Sequence, residues 1–263
     1  MNRDFKTIIS SAANGVTTIT LNRPEVLNAM SPKLFDELEA AIDDAYVNDD
    51  TKVVILTGAG RAFSSGGDMK LDVSDNHRKP PFEFRSFIHT RLIRKMVELE
   101  KPIIAAVNGL AVGAGADLAL ACDIRFASEN ARFGWMYIAS GVIPDLGGVY
   151  FLPRLAGIGK AKMLAFTGDM IDAVEAEKIG IVDKLVPADR LMPETMQFAT
   201  RLANGPSKGI AMTKVAINKA LSMDLLSSLD YTTNLQYLLM QTEDHKEGFR
   251  SFLEKRKPVY KGK

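Results

Sequence analysis

The stretch from Lys101 to Ala121, KPIIAAVNGLAVGAGADLALA, constrains this chain more than any other. Pro102 and the apolar run Ile103 to Val107 read as a buried strand, and Asn108-Gly109 is a turn signal. Gly113-Ala114-Gly115 then opens a run of small residues, Ala116 to Ala121, suited to a tightly packed helix. A strand thus ends in a glycine loop at a helix N-terminus. There the first backbone N–H groups have no intrahelical partner and sit at the positive end of the helix dipole, so the loop is ready to hold an oxyanion or a phosphate. A plain strand-to-helix joint packed on small residues is the alternative reading. A dinucleotide fingerprint fits less well, because Leu118 stands where the third glycine belongs. A membrane span fits less well still: Asn108, Asp117, Gly109, Gly113 and Gly115 interrupt the run, and no second span accompanies it.

With 263 residues, 46% of them hydrophobic and 25% charged, the chain is long enough for one large α/β domain or a domain with a helical appendage. A net charge of +1 gives no general electrostatic case for nucleic acid or an anionic membrane. Cys122 is the single cysteine, so no intrachain disulfide forms and the thiol reads as inert core. His77, His89 and His245 are scattered, which argues against a metal site. The N-terminal MNRDFKTI has no apolar signal-peptide segment, and the expectation is a cytoplasmic protein in a reducing setting.

Residues 5–10 and 16–21 alternate apolar and polar around Asn14-Gly15, which predicts a β-hairpin. A polar loop holding Arg23 and Leu27-Asn28-Ala29 follows, before Ser31 as N-cap and Pro32 at the first helical position start a helix. Lys52 to Thr57 reads as a strand covered on both faces and runs into a second glycine loop, Gly58 to Asp68. Residues 72–81 are polar and Pro-rich and are expected to form a mobile surface segment over the glycine loops, with helix from about residue 82 to 100. Strand is expected over 123–127, helix over 149–155, 160–167 and 173–179, and a last strand over 181–186. From Asp189 the pattern is helical almost throughout, with Gly205-Pro206-Ser207 as the main break. Alternating strands and helices followed by helices alone predict an α/β core with a C-terminal helical extension.

Five stretches in order then carry a resemblance: NRPEVLNAM (22–30), GRAFSSGGDMK (60–70), KPIIAAVNGLAVGAGADLALACDIRFAS (101–128), GVIPDLGGVYFLPRLAG (141–157) and TEDHKEGFRSFLEKRKP (242–258). Through them the chain resembles the enoyl-CoA hydratase/isomerase (crotonase) superfamily over essentially its whole length. The resemblance implies a spiral of ββα units, with residues 1–200 as the α/β core that binds acyl-CoA and 201–263 as a helical region that builds a homotrimer or a dimer of trimers. It implies an acyl-CoA thioester substrate, with coenzyme A present only as part of it, and no cofactor, metal, nucleic acid or membrane. Apolar residues on more than one face of the helices after Gly205, among them Leu221, Leu225, Leu226, Leu229 and Leu238, also predict association.

By resemblance the oxyanion hole consists of the backbone N–H groups of Gly67 and Ala114. Two such donors around a thioester carbonyl stabilise an enolate, and loss of one in comparable holes costs about 3–4 kcal/mol. The two glutamates of the family's hydratases map onto Asp117 and Tyr137. A shorter acid and a phenol do not reproduce a carboxylate pair around a water. Asp145 stands in a loop where the family's dienoyl-CoA isomerases, ring-epoxide isomerases of phenylacetate breakdown and aryl-CoA dehalogenases carry an aspartate. It would otherwise read as a cap for the helix starting near Gly147. An apolar pocket flanked by Trp135 and Ile143 is expected to raise its pKa. Asp117 otherwise reads as an acid bonded to neighbouring backbone, and Tyr137 as a core aromatic. The resemblance also assigns the backbone around Ala62 to Ser64 and Asp68 to the adenine and pantetheine, Phe252 and Lys255 of a neighbouring subunit to the nucleotide end, and Arg23 to a phosphate. Lys255 lies in EKRK, which otherwise reads as a solvated basic tail. The expected activity is a double-bond shift in an enoyl-CoA with Asp145 as base; a 2-enoyl-CoA hydratase relying on Asp117 and a catalytically weak acyl-CoA-binding homologue are the alternatives.

Overall fold

A computed structural model describes residues 3–69 and 88–263. The surface segment expected over 72–81, and the start of the helix expected from 82, lie outside the described residues. The hairpin is β1 (Ile8–Ala13) and β2 (Val16–Leu21), paired antiparallel with Ala13 opposite Val16. Its two turn residues, Asn14 and Gly15, have φ of 52° and 78°, the left-handed pair that a tight hairpin turn requires. In α1 (Pro32–Val47) the expected cap is in place: the Ser31 hydroxyl accepts the Leu34 N–H at 3.2 Å.

Next come β3 (Val53–Gly58), β4 (Ala62–Ser64), α2 (Ile88–Glu98), β5 (Ile103–Val107), β6 (Leu110–Val112), α3 (Ala114–Leu120), β7 (Ile124–Ser128) and β8 (Arg132–Gly134). A short helical turn at Met136–Ser140 leads to α4 (Gly148–Ala156), α5 (Ile158–Thr167), β9 (Met170–Asp172), α6 (Ala173–Lys178) and β10 (Lys184–Val186). The chain closes with α7 (Leu191–Ala203), α8 (Ser207–Ala220), α9 (Leu225–Leu239) and α10 (Glu243–Leu253). The large sheet has the order β1-β2-β3-β5-β7-β10 and is parallel apart from the hairpin. The small sheet runs β4-β6-β8-β9, with only β8 and β9 antiparallel.

Each successive pair, β3 with β4, β5 with β6 and β7 with β8, therefore lays its first strand in the large sheet and its second in the small one. The joints demand glycine: a Cβ at Gly58 would lie 2.2 Å from the Ala62 carbonyl oxygen, and one at Gly109 would lie 2.1 Å from that of Arg61. This is the α/β architecture of ββα units with C-terminal helices that the resemblance implied. The stretches read as glycine loops hold β4 and β6, which are too short to display a period of two.

The large sheet is buried on both faces, and its residues divide by parity. Val54, Leu56, Ile103, Ala105 and Val107 join the core beneath α1, α2 and α3, whereas Val53, Ile55, Ile104, Ala106 and Phe126 pack with Leu191 and Ala199 of α7. Every residue of α3 is buried. The helices after α7 are joined to this body by a buried lysine. Lys214 on α8 pairs with Asp123 at 2.8 Å and donates to the carbonyls of Met96 and Lys101, each at 3.1 Å. Asp123 in turn accepts the Ile103 N–H at 2.7 Å. By contrast α9 buries none of its residues, and Leu225, Leu226, Leu229, Tyr237 and Leu238 lie exposed along it. Among the described residues no helix is long and apolar enough to cross a membrane.

Candidate active site

The two glycine loops meet. Gly66 has φ +94°, and a side chain there would come within 2.8 Å of the Val112 carbonyl oxygen and 3.6 Å of the Ala114 nitrogen, so only glycine permits the approach. The first loop is tied down by Asn28, which is fully buried at φ 55°. Its Nδ2 donates to the carbonyls of Ala59 and Ala62 at 2.9 and 2.8 Å, and its Oδ1 accepts the Arg23 N–H at 2.8 Å. The Ser64 hydroxyl donates back to the Asn28 carbonyl at 2.8 Å.

Met30 then bridges the loop in parallel fashion, its N–H to the Gly66 carbonyl at 2.8 Å and its carbonyl to the Asp68 N–H at 3.2 Å. In that pattern the N–H of the intervening Gly67 is directed away from Met30, and the space beside Gly67 is open. On the second loop, Gly113 at φ 52° precedes Ala114, the first residue of α3. Among the described residues neither the Gly67 N–H nor the Ala114 N–H donates a hydrogen bond within the chain.

One turn into α3 stands Asp117, with no exposed surface. Its Oδ1 accepts the indole N–H of Trp135 at 2.9 Å, and its Oδ2 accepts the hydroxyl of Tyr137 at 2.8 Å. The backbone of Gly148 lies against the same carboxylate, so closely that a Cβ at 148 would be 2.2 Å from Oδ1. Burial dominates its ionisation and pushes the Asp117 carboxyl up to about 6, against the Tyr137, Trp135 and Gly148 donors; the Asp145 charge adds to the rise. Burial also raises the Tyr137 phenol well above its ordinary range, helped by Asp117, so Tyr137 remains a protonated donor. Asp117 is thus held by side chains from the segment after β8, rather than by neighbouring backbone as one reading of the sequence had it.

Asp145 occupies the turn before α4, exposed between the buried Pro144 and Leu146. The N-cap position of α4 is Gly147, two residues after Asp145. Among the described residues, the two expected to flank it differ in placement. Trp135 is fully buried with its indole N–H engaged by Asp117, and Ile143 is 69% exposed because its loop turns outward.

Arg23 and Asp68 form a 2.9 Å ion pair at the edge of the first loop, and Arg23 also donates to the Ala29 carbonyl at 2.6 Å. Ala62 and Ser64 are buried in β4 beside them. Phe252 and Lys255 belong to the other end of the chain. Phe252, 80% exposed, lines a cleft of about 400 Å³ with Pro206, Leu239 and Tyr260, and Lys255 follows in an exposed position at φ 53°. The sequence reading did not find the anchoring role of Asn28, although an asparagine is the residue type that tolerates a left-handed turn. Nor did it find the bond from the Trp135 indole to Asp117.

A family model described as enoyl-CoA hydratase/isomerase matches residues 11–263. The short-chain-enoyl-CoA hydratase of Clostridium acetobutylicum is 36% identical over 257 residues, covering 97% of each chain. The 1,2-epoxyphenylacetyl-CoA isomerase of Escherichia coli is 37% identical over 258 residues, 97% of this chain and 98% of its own. The crystal structure of an enoyl-CoA hydratase subunit from Geobacillus kaustophilus matches with a TM-score of 0.93 at 38% identity, covering 99% of this chain and all of that one.

Proposed function

This chain belongs to the enoyl-CoA hydratase/isomerase (crotonase) superfamily, and on that premise we propose that it shifts the double bond of an enoyl-CoA with Asp145 as base. The thioester oxygen sits between the N–H groups of Gly67 and Ala114. Asp145 takes a proton from C2 of a 3-enoyl-CoA, and the electron pair passes into the thioester, whose oxygen gains charge facing the two donors. The protonated Asp145 then returns the proton at C4 as the C2–C3 double bond forms. The observation that carries this reading is the burial of Asp117, both of whose oxygens are engaged by Trp135 and Tyr137, while Asp145 stands at an exposed turn position whose charge reaches Asp117.

Around the acyl group, Arg23, Ala62, Ser64 and Asp68 contact the pantetheine and nucleotide from one subunit, and Phe252 and Lys255 reach the nucleotide end from a neighbour. Residues 1–200 form the catalytic core, and 201–263 assemble a homotrimer or a dimer of trimers. The exposed apolar residues of α9 support the assembly. Light scattering that returned a 28.8 kDa monomer at micromolar concentration would sink it.

Hydration is the second reading. It is favoured by the hydratase activity in the name of the Clostridium relative and by an Asp117 carboxyl pushed up to about 6, a useful value for a general base. The two are separated by substitution. Asp145→Asn should remove most of the double-bond shift, by a factor of about 10²–10⁴, while Asp117→Asn leaves a substantial part. Rapid hydration of crotonyl-CoA that vanished in Asp117→Asn and survived in Asp145→Asn would overturn the isomerase reading.

A further inference from the structure

We infer that Tyr137 determines which reaction this site performs: its hydroxyl, bonded to Asp117, keeps water from the buried carboxylate and so suppresses addition of water to the bound enoyl chain. The inference rests on the isomerase reading above and deepens it.

A carboxylate offers about four acceptor positions. In Asp117 the Trp135 indole, the Tyr137 hydroxyl and the Gly148 backbone occupy three, and the absence of exposed surface closes the approach to the fourth. Of these partners Tyr137 borders the second glycine loop with its ring. Its Cε2 would lie 4.0 Å from a Cβ on Gly113, the residue before Ala114. Trp135 is fully buried and Gly148 is backbone, so neither can swing aside. Tyr137 is half-buried, and among the described residues its hydroxyl is a removable cover on Asp117 beside the loop that presents the Ala114 N–H.

Without that hydroxyl, Asp117 can take a proton from a water as the water oxygen bonds to C3. The electrons of the C2–C3 double bond move onto the thioester oxygen, and C2 then takes the proton from Asp117, which completes addition of water and restores the carboxylate. A water held this way needs at least two polar partners, and Asp117 Oδ2 is the first. Among the described residues the titratable groups that bear on Asp117 are Tyr137 and Asp145. Loss of the tyrosine donor leaves Asp145 as a repulsive neighbour and makes Asp117 more basic.

Two variants test this. Tyr137→Phe keeps the ring and removes the bond; Tyr137→Ser also makes room for a water. Hydration of a 2-enoyl-CoA should rise at least about tenfold over the unmodified protein in one or both, a modest share of what a positioned base contributes. In Tyr137→Phe the ratio of hydration to double-bond shift should rise by at least the same factor. Adding Asp117→Asn should abolish the gained hydration. Trp135, the single tryptophan, supplies a readout independent of turnover. Its emission should titrate with Asp117, and the midpoint should move up in Tyr137→Phe.

If neither variant gains hydration, the inference falls, whatever the emission does. An emission flat from about pH 4 to pH 8 in both proteins would mean that the bonded cluster does not form, and would also overturn it. If the unmodified protein hydrates crotonyl-CoA and shifts no double bond, the isomerase reading fails on its own. The role of Tyr137 then stands or falls on whether Tyr137→Phe raises hydration further.

Discussion

Lys214→Met removes the charged joint between the last helices and the α/β body. The Lys214 side chain is 7% exposed and that of its partner Asp123 is 24% exposed. Deleting one member of a buried pair leaves an uncompensated charge and costs about 3–5 kcal/mol. Because Asp123 keeps the Ile103 N–H and some contact with water, the lower end applies, about 3 kcal/mol. For a chain of this length that is a fall in Tm of about 6–12 °C.

The loss should depend on pH. Burial already holds the Asp123 carboxyl above its ordinary value against the pull of Lys214, and without the ammonium it rises further. A carboxyl whose folded pKa is raised binds its proton more tightly when folded, so the penalty is full at neutral pH and is relieved as pH falls. The assay is urea unfolding of the unmodified protein, Lys214→Met and Lys214→Met/Asp123→Asn, at about pH 7.5 and about pH 5, all at one protomer concentration because association shifts apparent stability. The double variant removes both members of the pair and still accepts the Ile103 N–H, so it should recover more than half of the loss. An equal loss at both pH values, or one below about 1 kcal/mol at neutral pH, would refute the argument from buried charge.

Three further outcomes follow from the site and the core. The Asp117 carboxyl, folded at about 6 against an ordinary 3.8, should reduce stability as pH rises through that interval, by about 3 kcal/mol in all, and Asp117→Asn should flatten urea midpoints across the same window. Gly148→Ala would set a Cβ 2.2 Å from Asp117 Oδ1 and 2.7 Å from Pro144 Cβ, so it should lower stability by about 1–3 kcal/mol and shift the Trp135 emission. Cys122 is 3% exposed with its thiol pushed up to about 12, so it should resist thiol reagents in the folded protein and react at the rate of unfolding in urea.

The hairpin, the start of α1 and the strands of the large sheet were legible because their signals are local: a turn dipeptide, a capping serine before a proline, and apolar runs covered on both faces. The small sheet was not, since β4 and β6 are three residues each and sit among glycines that read as loop. The partners of Asp117 were hidden for a different reason. Trp135 and Tyr137 stand 18 and 20 residues away, and sequence proximity pointed Trp135 toward Asp145 instead. Pairing explains the true arrangement: β6 and β8 run parallel with Val112 opposite Gly134, so the segment that follows each strand emerges beside the other, and α3 meets residues 135–137. Lys214 on α8 and Asp123 in the joint before β7 are brought together only by tertiary packing, and no periodicity in either segment announces the pair.

A helix with no outer face has no independent motion. All seven residues of α3 are enclosed, so the segment cannot fray or swing without parting β4 from β6 and releasing the turn after β8. Backbone amides in its second turn should therefore exchange with solvent at the rate of whole-molecule unfolding, among the slowest in the chain. Ala114 and Asp117 are both carried on that helix, so the placement of the proposed oxyanion donor and of the buried acid shares the fate of the core. Substitutions that loosen the core anywhere should dull the active site in proportion, and heating should abolish structure and turnover over the same few degrees.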